Sequence, residues 1–559
     1  MEELAVFLFY NCNILTIDKN ETIAEAMGIF KNKILTIGTK LEVKSEILQF
    51  IEDLKKKTNE KINIVEKDLN GASVVPGFID VHLHPLMCIY FKTQLKLSGI
   101  KGYSDLEKIL KKEDQIRQSG EWIVGLELIE DLFEDPAERH FPSKYDLDPI
   151  CPNRPVVIFR YDGHICCMNS AALEITGINS SNVKELTPDD GEIKLNAKGE
   201  PTGILTEGAM SLALEYISIP SSAKINQASE SFSEELASFG ITTCGVIIQL
   251  GEVGIAGKAG TMELPLIQSL IKEGLIKQDL VCYFITDRPK KLNRIQKSFL
   301  KLNKEEDQFV VGGLKIFADG SFGAHTAYMF EPFSDSLKNG FMVNEKEVLY
   351  RIFKETNDLG FQIACHAIGD KANRTVVDIY LDMFNKSLEK DKIEKADLRH
   401  RIEHASLITK DTLKDAAKLG IIIATQPLFI NTEYKWLENR LGPERIKYVY
   451  PFKSIIDSGT IIAGASDAPV ESPNVLKAIQ VAVTRNGFVP EQSITVNEAL
   501  KMFTYNAAYA LKQENIKGSL EKGKLADFVI LDQDIRRVPF EKIENIRILA
   551  TYHRGEKIY

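Results

Sequence analysis

Between residues 74 and 466 the chain repeats one pattern, a short apolar run followed by an amphipathic stretch. The runs lie at 74–84, 239–248, 280–286, 312–319, 361–367, 401–405, 421–426 and 460–466. Continuous apolar runs bounded by turn residues read as buried strands, and apolar residues spaced three and four apart read as helices. Leu264, Ile267, Leu270 and Ile271 show that helical spacing, and Thr409 and Gly420 bracket another helix as start and stop. Eight buried strands separated by helices specify a parallel sheet closed into a (β/α)8 barrel, the TIM-like α/β architecture.

One interval breaks the rhythm. Roughly 150 residues separate the first two runs, where a few are usual. The interval has strand-like segments of its own at 122–128 and 155–161, so 86–224 is expected to be an inserted domain. An insertion there rises from the face of the barrel that carries catalysis, so it is placed to act as a lid over substrate. The ends of the chain are short alternating strands, among them 7–16, 26–37, 526–531 and 546–552. Residues 1–75 and 510–559 are therefore expected to form one small β-sandwich domain, leaving 76–85 and 225–509 to the barrel.

Composition removes several classes of partner. The net charge is −10, and no Lys/Arg cluster interleaved with aromatics interrupts it, so neither nucleic acid nor a membrane surface is expected. No stretch approaches 18 apolar residues, and the acidic opening Met1-Glu2-Glu3 does not suit a signal peptide. The eight cysteines form no C-x-x-C pair and several sit in apolar runs, so the cytoplasm is the expected location. A homodimer is the default expectation for assembly.

A barrel delivers its chemistry from the C-terminal ends of its strands. His82 and His84 end the first run and point the same way, because strand side chains alternate. Two such imidazoles can share a metal ion, or be a hydrogen-bonded pair near a sheet surface. The other runs decide between these. Lys315 lies in the fourth, His366 in the fifth, His404 in the sixth and Asp467 after the eighth. Four of only nine histidines thus fall at strand ends, which points to a metal site.

This set resembles the amidohydrolase superfamily, with H-x-H on strand 1, Lys on strand 4, His on strands 5 and 6 and Asp on strand 8. Within it the chain resembles amidohydrolase family 3, the branch containing N-substituted formamide deformylase. The matching segments are Pro76-Gly77-Phe78-Ile79-Asp80, Lys315-Ile316-Phe317-Ala318-Asp319-Gly320, His366-Ala367-Ile368-Gly369-Asp370, Arg401-Ile402-Glu403-His404 and Gly523-Lys524-Leu525-Ala526-Asp527. In the insertion, Asp162-Gly163-His164, Asn169-Ser170-Ala171-Ala172-Leu173 and Gly203-Ile204-Leu205-Thr206-Glu207 match as well.

The resemblance implies one or two divalent ions, with zinc expected. His82 and His84 would hold the more buried ion, His366 and His404 the more exposed one, and a carbamylated Lys315 would bridge them. Glu207 is the alternative bridging carboxylate, and a Lys315–Asp319 ion pair the plain structural alternative. Asp467 would be ligand, general base and then general acid. Metal-activated hydroxide would attack the carbonyl of a small-molecule amide, N-substituted formamide or cyclic amide and cleave its C–N bond. A deaminase or a metal-assisted isomerase on the same barrel is the alternative activity, and a non-catalytic binding subunit the alternative class. His325, His164 and Asn169 are the expected substrate contacts, with loop-fixing hydrogen bonds as the other reading of the last two. His325 stands where the resemblance leads one to expect arginine. Arg401, Glu403 and Gln426 are expected to support the site, and His140 and His553 to be surface residues.

Overall fold

The computed structural model describes residues 4–57, 62–160, 165–188, 191–214, 216–217, 220–251, 260–301, 308–388 and 399–559. All eight expected strands form: β1 (Phe78–Leu83), β2 (Ile241–Gln249), β3 (Asp279–Ile285), β4 (Phe309–Phe317), β5 (Gln362–Ala367), β6 (Arg401–His404), β7 (Ile422–Thr425) and β8 (Ile462–Gly464). They pair in parallel and in chain order from β1 to β8. The circle meets at its C-terminal mouth, where Asp467 N–H donates to His82 C=O and His84 N–H to Ala468 C=O, both at 2.8 Å. One buried apolar cluster draws Ile79 and Val81 from β1, Val281 and Tyr283 from β3, Ala364 from β5, Ala424 from β7 and Ala463 from β8. The barrel is a packed core, as its many Val, Ile and Ala residues require.

The run 74–84 proves to be two strands. Ser73–Pro76 pairs antiparallel with Phe528–Leu531 in the terminal sheet, and only Phe78–Leu83 enters the barrel. The chain changes sheets at Gly77, whose N–H goes to Asp527 C=O at 2.8 Å, while that of Phe78 goes to Gly240 C=O at 2.9 Å. A Cβ on Gly77 would lie 2.4 Å from Thr242 Oγ1, so this crossing admits only glycine without rearrangement.

Strands from both ends of the chain build one eight-stranded sheet. The helix Lys40–Lys57 covers one face, burying Val43, Ile47 and Ile51 against Val6, Leu8 and Ala26. On the other face the Phe9 and Phe528 rings approach to 5.2 Å, although the strand Ser73–Pro76 lies between theirs. The strands from the two ends thus join in a single hydrogen-bonded sheet.

At the N-terminal end of β3, buried Asp279 accepts from Arg554 Nε at 3.0 Å and Nη2 at 2.9 Å, pairs with Lys517, and lies 3.0 Å from His553 Nε2. Lys517 also donates to Thr243 Oγ1 at 2.9 Å. This cluster fastens the barrel to the terminal sheet. His553, expected on the surface, is 6% exposed because the C-terminal strand carries it into that junction.

Barrel and terminal sheet form one compact unit, residues 1–86 and 230–559, and residues 87–229 form another. The boundary falls inside the helix Ser222–Ser238. The second unit has its own six-stranded sheet, with apolar clusters around Trp122 and Val157 and around Leu106 and Phe133. Among the described residues no helix is long and apolar enough to cross a membrane.

Candidate metal centre

Strand ends bring the expected residues to one point. Asp467 Oδ1 lies 3.3 Å from His82 Nε2 and 3.1 Å from His84 Nε2, and Lys315 Nζ lies 3.3 Å from His82 Nε2. The His404 ring is 5.3 Å from that of His82 and 4.5 Å from that of His366, centroid to centroid. His82, His404 and Asp467 each offer a ligand atom, and these atoms all lie within 4.8 Å of one another. His84 and His366 border this group. His404 and Asp467 take left-handed backbone conformations, φ 73° and 59°, unusual for residues with side chains. Strain of this kind gathers where a side chain must be aimed at the end of a strand.

Three of the imidazoles are each held by one nitrogen. His82 Nδ1 bonds to Glu403 Oε2, His404 Nδ1 to Gln426 Oε1 at 2.9 Å, and His366 Nε2 to the Gly320 carbonyl at 3.0 Å. Since Gly320 C=O can only accept, His366 carries its proton on Nε2 and keeps Nδ1 as its ligand atom. The same logic leaves Nε2 free on His82 and His404. Two buried aspartates set the surrounding backbone. Asp80 accepts from the N–H of His82 at 3.0 Å and of Ser466 at 3.1 Å, locking β1 to the end of β8. Asp319 accepts from the N–H groups of Tyr328, Ile368 and Gly369 at 2.8–2.9 Å. Nothing in the sequence pattern assigned these organising roles to Asp80 and Asp319; each lies in a matching segment, and that was the only signal.

The electrostatics suit cation binding. Burial pushes His82 down to about 4, helped by Lys315, and His404 down to about 3, so both imidazoles are neutral. Burial also lowers Lys315 to about 8, against the pull of Glu403 and Asp467. Burial alone would raise Asp467, but the surrounding imidazoles more than offset it and hold the carboxyl well below its usual range. A neutral His82 whose proton sits on Nδ1 turns an acceptor, Nε2, toward another acceptor, the buried Asp467 Oδ1, with Lys315 Nζ also 3.3 Å from that Nε2. Two buried acceptors this close call for positive charge beside them, which Lys315 or a bound cation supplies. The donor set, imidazole nitrogen and carboxylate oxygen, fits a divalent transition metal.

Asn169 is fully buried; its Oδ1 accepts from Val156 and Ala172 N–H, and its Nδ2 donates to the carbonyls of Cys151 and Arg154. Those four bonds occupy the whole amide, which corrects its assignment as a substrate contact: it caps the helix Ser170–Thr176. His325 Nε2 is 3.0 Å from Asp335 Oδ1, and Arg440 holds the same carboxylate at 2.7 Å. His164 and the Glu207 side chain lie outside the described residues. Lys315 makes no ion pair with Asp319, whose bonds go to backbone amides. A second group with ligand-type atoms, Asp279, Asp527 and His553, already contains Lys517 and Arg554 as counter-charges and is an ion-pair junction.

A parallel barrel whose strand ends aim neutral imidazoles and a carboxylate at one point defines the class of metal-dependent hydrolases. The chain belongs to the amidohydrolase family, whose model matches residues 66–559. It is similar to the protein LONG AFTER FAR-RED 3 of Arabidopsis thaliana, 31% identical over 100% of this chain and 92% of that one. It is also similar to the N-substituted formamide deformylase of Arthrobacter pascens, 25% identical over 99% and 98%. Among solved structures, an uncharacterized metal-dependent hydrolase from Pyrococcus furiosus matches with a TM-score of 0.72 and 28% identity, covering 95% of this chain and 100% of that one.

Proposed function

We propose that this hydrolase cleaves a carbon–nitrogen bond in a small amide, N-substituted formamide or cyclic amide. It would do so with one or two divalent ions, zinc first, held by His82, His84, His366, His404 and Asp467. The observation that carries this reading is the buried Asp467 carboxylate, whose Oδ1 faces the Nε2 atoms of two imidazoles, His84 at 3.1 Å and His82 at 3.3 Å. Similarity along the full chain to N-substituted formamide deformylase supports the choice of bond. None of the eight cysteines, all among the described residues, forms a disulfide, which suits a reducing cytoplasm.

A divalent ion bound here supplies Lewis acidity and lowers the pKa of a water toward about 7. Asp467 takes a proton from the attacking water as its oxygen bonds to the carbonyl carbon. The same carboxyl returns the proton to the nitrogen as the C–N bond breaks. The imidazoles, anchored through Glu403, Gln426 and Gly320, stay fixed through these steps, so little reorganisation is needed. Lys315 is the proposed carbamate bridge. Its neutral Nζ adds to carbon dioxide, one C=O electron pair moves to oxygen, and a proton leaves to solvent, turning a poor cationic ligand into an anionic one. His325 remains a proposed substrate contact through Nδ1, since its Nε2 is engaged by Asp335.

The test is metal analysis of protein from metal-replete cells, followed by a panel of formamides, linear amides and cyclic amides with product amine as readout. One or two ions per chain and turnover of one of these classes are expected. Protein that holds no metal and is inert to the whole panel with added zinc would overturn the reading.

A further inference from the structure

His82 is backed by a carboxylate in direct hydrogen-bond contact, whereas the carboxylate nearest the anchored nitrogen of His366, that of Asp319, stands off at 3.6 Å. His404 leans on the neutral amide of Gln426 and His366 on a backbone carbonyl, whereas His82 Nδ1 meets the carboxylate of Glu403. Glu403 is fully buried and cannot turn away. Arg401, two residues earlier on β6, grips it with Nε on Oε1 at 2.7 Å and Nη2 on Oε2 at 2.8 Å. The same Nη2 donates to the Val81 carbonyl at 2.9 Å, so the clamp also holds the backbone next to His82. The guanidinium lies over the Tyr283 ring at 4.6 Å, and Tyr283 in turn bonds to Gln362. Four barrel strands thus converge to place one carboxylate behind one imidazole.

This arrangement has two chemical effects. A carboxylate that can only accept fixes the proton of His82 on Nδ1, which turns the Nε2 lone pair toward Asp467 and Lys315. A negative charge behind the ring also makes Nε2 a stronger donor to a cation than an imidazole backed by a neutral group.

Resting on the metal-dependent reading above, we propose that Glu403, braced by Arg401, is the positioning residue that fixes the His82 tautomer and sets how tightly the barrel mouth holds a divalent ion. Glu403 touches neither substrate nor reacting atoms; it acts through His82.

The test uses metal-stripped full-length protein, cobalt(II) as probe, and competition with a chromophoric chelator to read affinity. Glu403→Gln alone would strand the buried Arg401 charge and endanger folding. The informative variant is therefore Arg401→Met combined with Glu403→Gln, which removes both charges while keeping an acceptor for His82. It should bind cobalt about 10- to 100-fold more weakly than wild type, with the melting temperature of the metal-free protein little changed. Arg401→Met alone keeps the carboxylate, and its folded fraction should bind cobalt within a few-fold of wild type although the protein is less stable. A purely structural role would move stability in both variants and cobalt affinity in neither. Wild-type affinity in the double variant overturns the proposal and leaves the hydrolase reading standing. Wild-type protein that binds no cobalt overturns both.

Discussion

The backbone N–H of Asp467 donates to the backbone C=O of His82 across 2.8 Å. One residue ends the first barrel strand and the other follows the last, 385 positions later by number. Their side chains meet as well, Asp467 Oδ1 lying 3.3 Å from His82 Nε2. The contacts that close the barrel thus also bring the candidate ligands together, and Asp80, bonded to both strand ends, reinforces them. A barrel that failed to close would lose its ligands with its shape.

Asp467→Asn keeps the volume and one oxygen but removes the proton carrier. Turnover should fall by about 10²- to 10⁴-fold while the metal content stays near that of wild type. Steady-state rates beside metal analysis check this. Wild-type turnover would take Asp467 out of the proton transfers.

Lys315→Ala should lower the number of ions per chain, because the proposed bridge is lost. Acetate or propionate should restore part of the metal content by entering the vacated space as a carboxylate. Unchanged stoichiometry in the variant would end the bridging role.

Asp279→Asn should destabilise the protein by about 3–5 kcal/mol, since Lys517 and Arg554 would keep buried charges without their shared partner. Turnover per folded molecule should be unchanged, because Asp279 begins β3 at the end of the barrel away from the site. Burial would raise its carboxyl, but Lys517, His553 and Arg554 hold it well below the usual range. The stabilisation is therefore complete above the ordinary carboxylate pKa of about 3.9 and disappears as pH falls through the lower folded value. Denaturant unfolding should show a constant gap between wild type and variant from neutral pH down to about pH 5, closing only in stronger acid.

Glu433→Gln should act in the opposite sense. Burial pushes this carboxyl up to about 7, Glu471 adds to the shift, and the Tyr450 hydroxyl opposes it. An acid with a raised folded pKa loses stability as pH climbs from its unfolded value, about 4.3, through 7. The glutamine variant should melt higher at pH 8, by the equivalent of about 1–3 kcal/mol, and like wild type at pH 4. Equal melting temperatures at pH 8 would show that Glu433 ionises freely.

Much of this molecule was legible one segment at a time. The eight strands were visible as apolar runs because a barrel strand is buried on both sides and must be apolar within its own few residues. The ligands were visible because a barrel puts its chemistry where those runs stop. Features that depend on residues far apart were not. Nothing local marks Gly77 as the point where one apolar run divides between two sheets; the Thr242 side chain decides that. His553 looked like a surface residue near the end of the chain until Asp279, 274 positions earlier by number, buried it in an ion-pair junction. Asn169 could be a pocket residue or a cap until four backbone partners occupied its amide. By itself, then, the sequence determined the barrel and which histidines, lysine and aspartate stand at its strand ends, which follow from local periodicity. Only the tertiary structure decided which nitrogen of each imidazole is free, because the partners that choose it, Glu403, Gln426 and Gly320, come from other strands and loops folded against the ring.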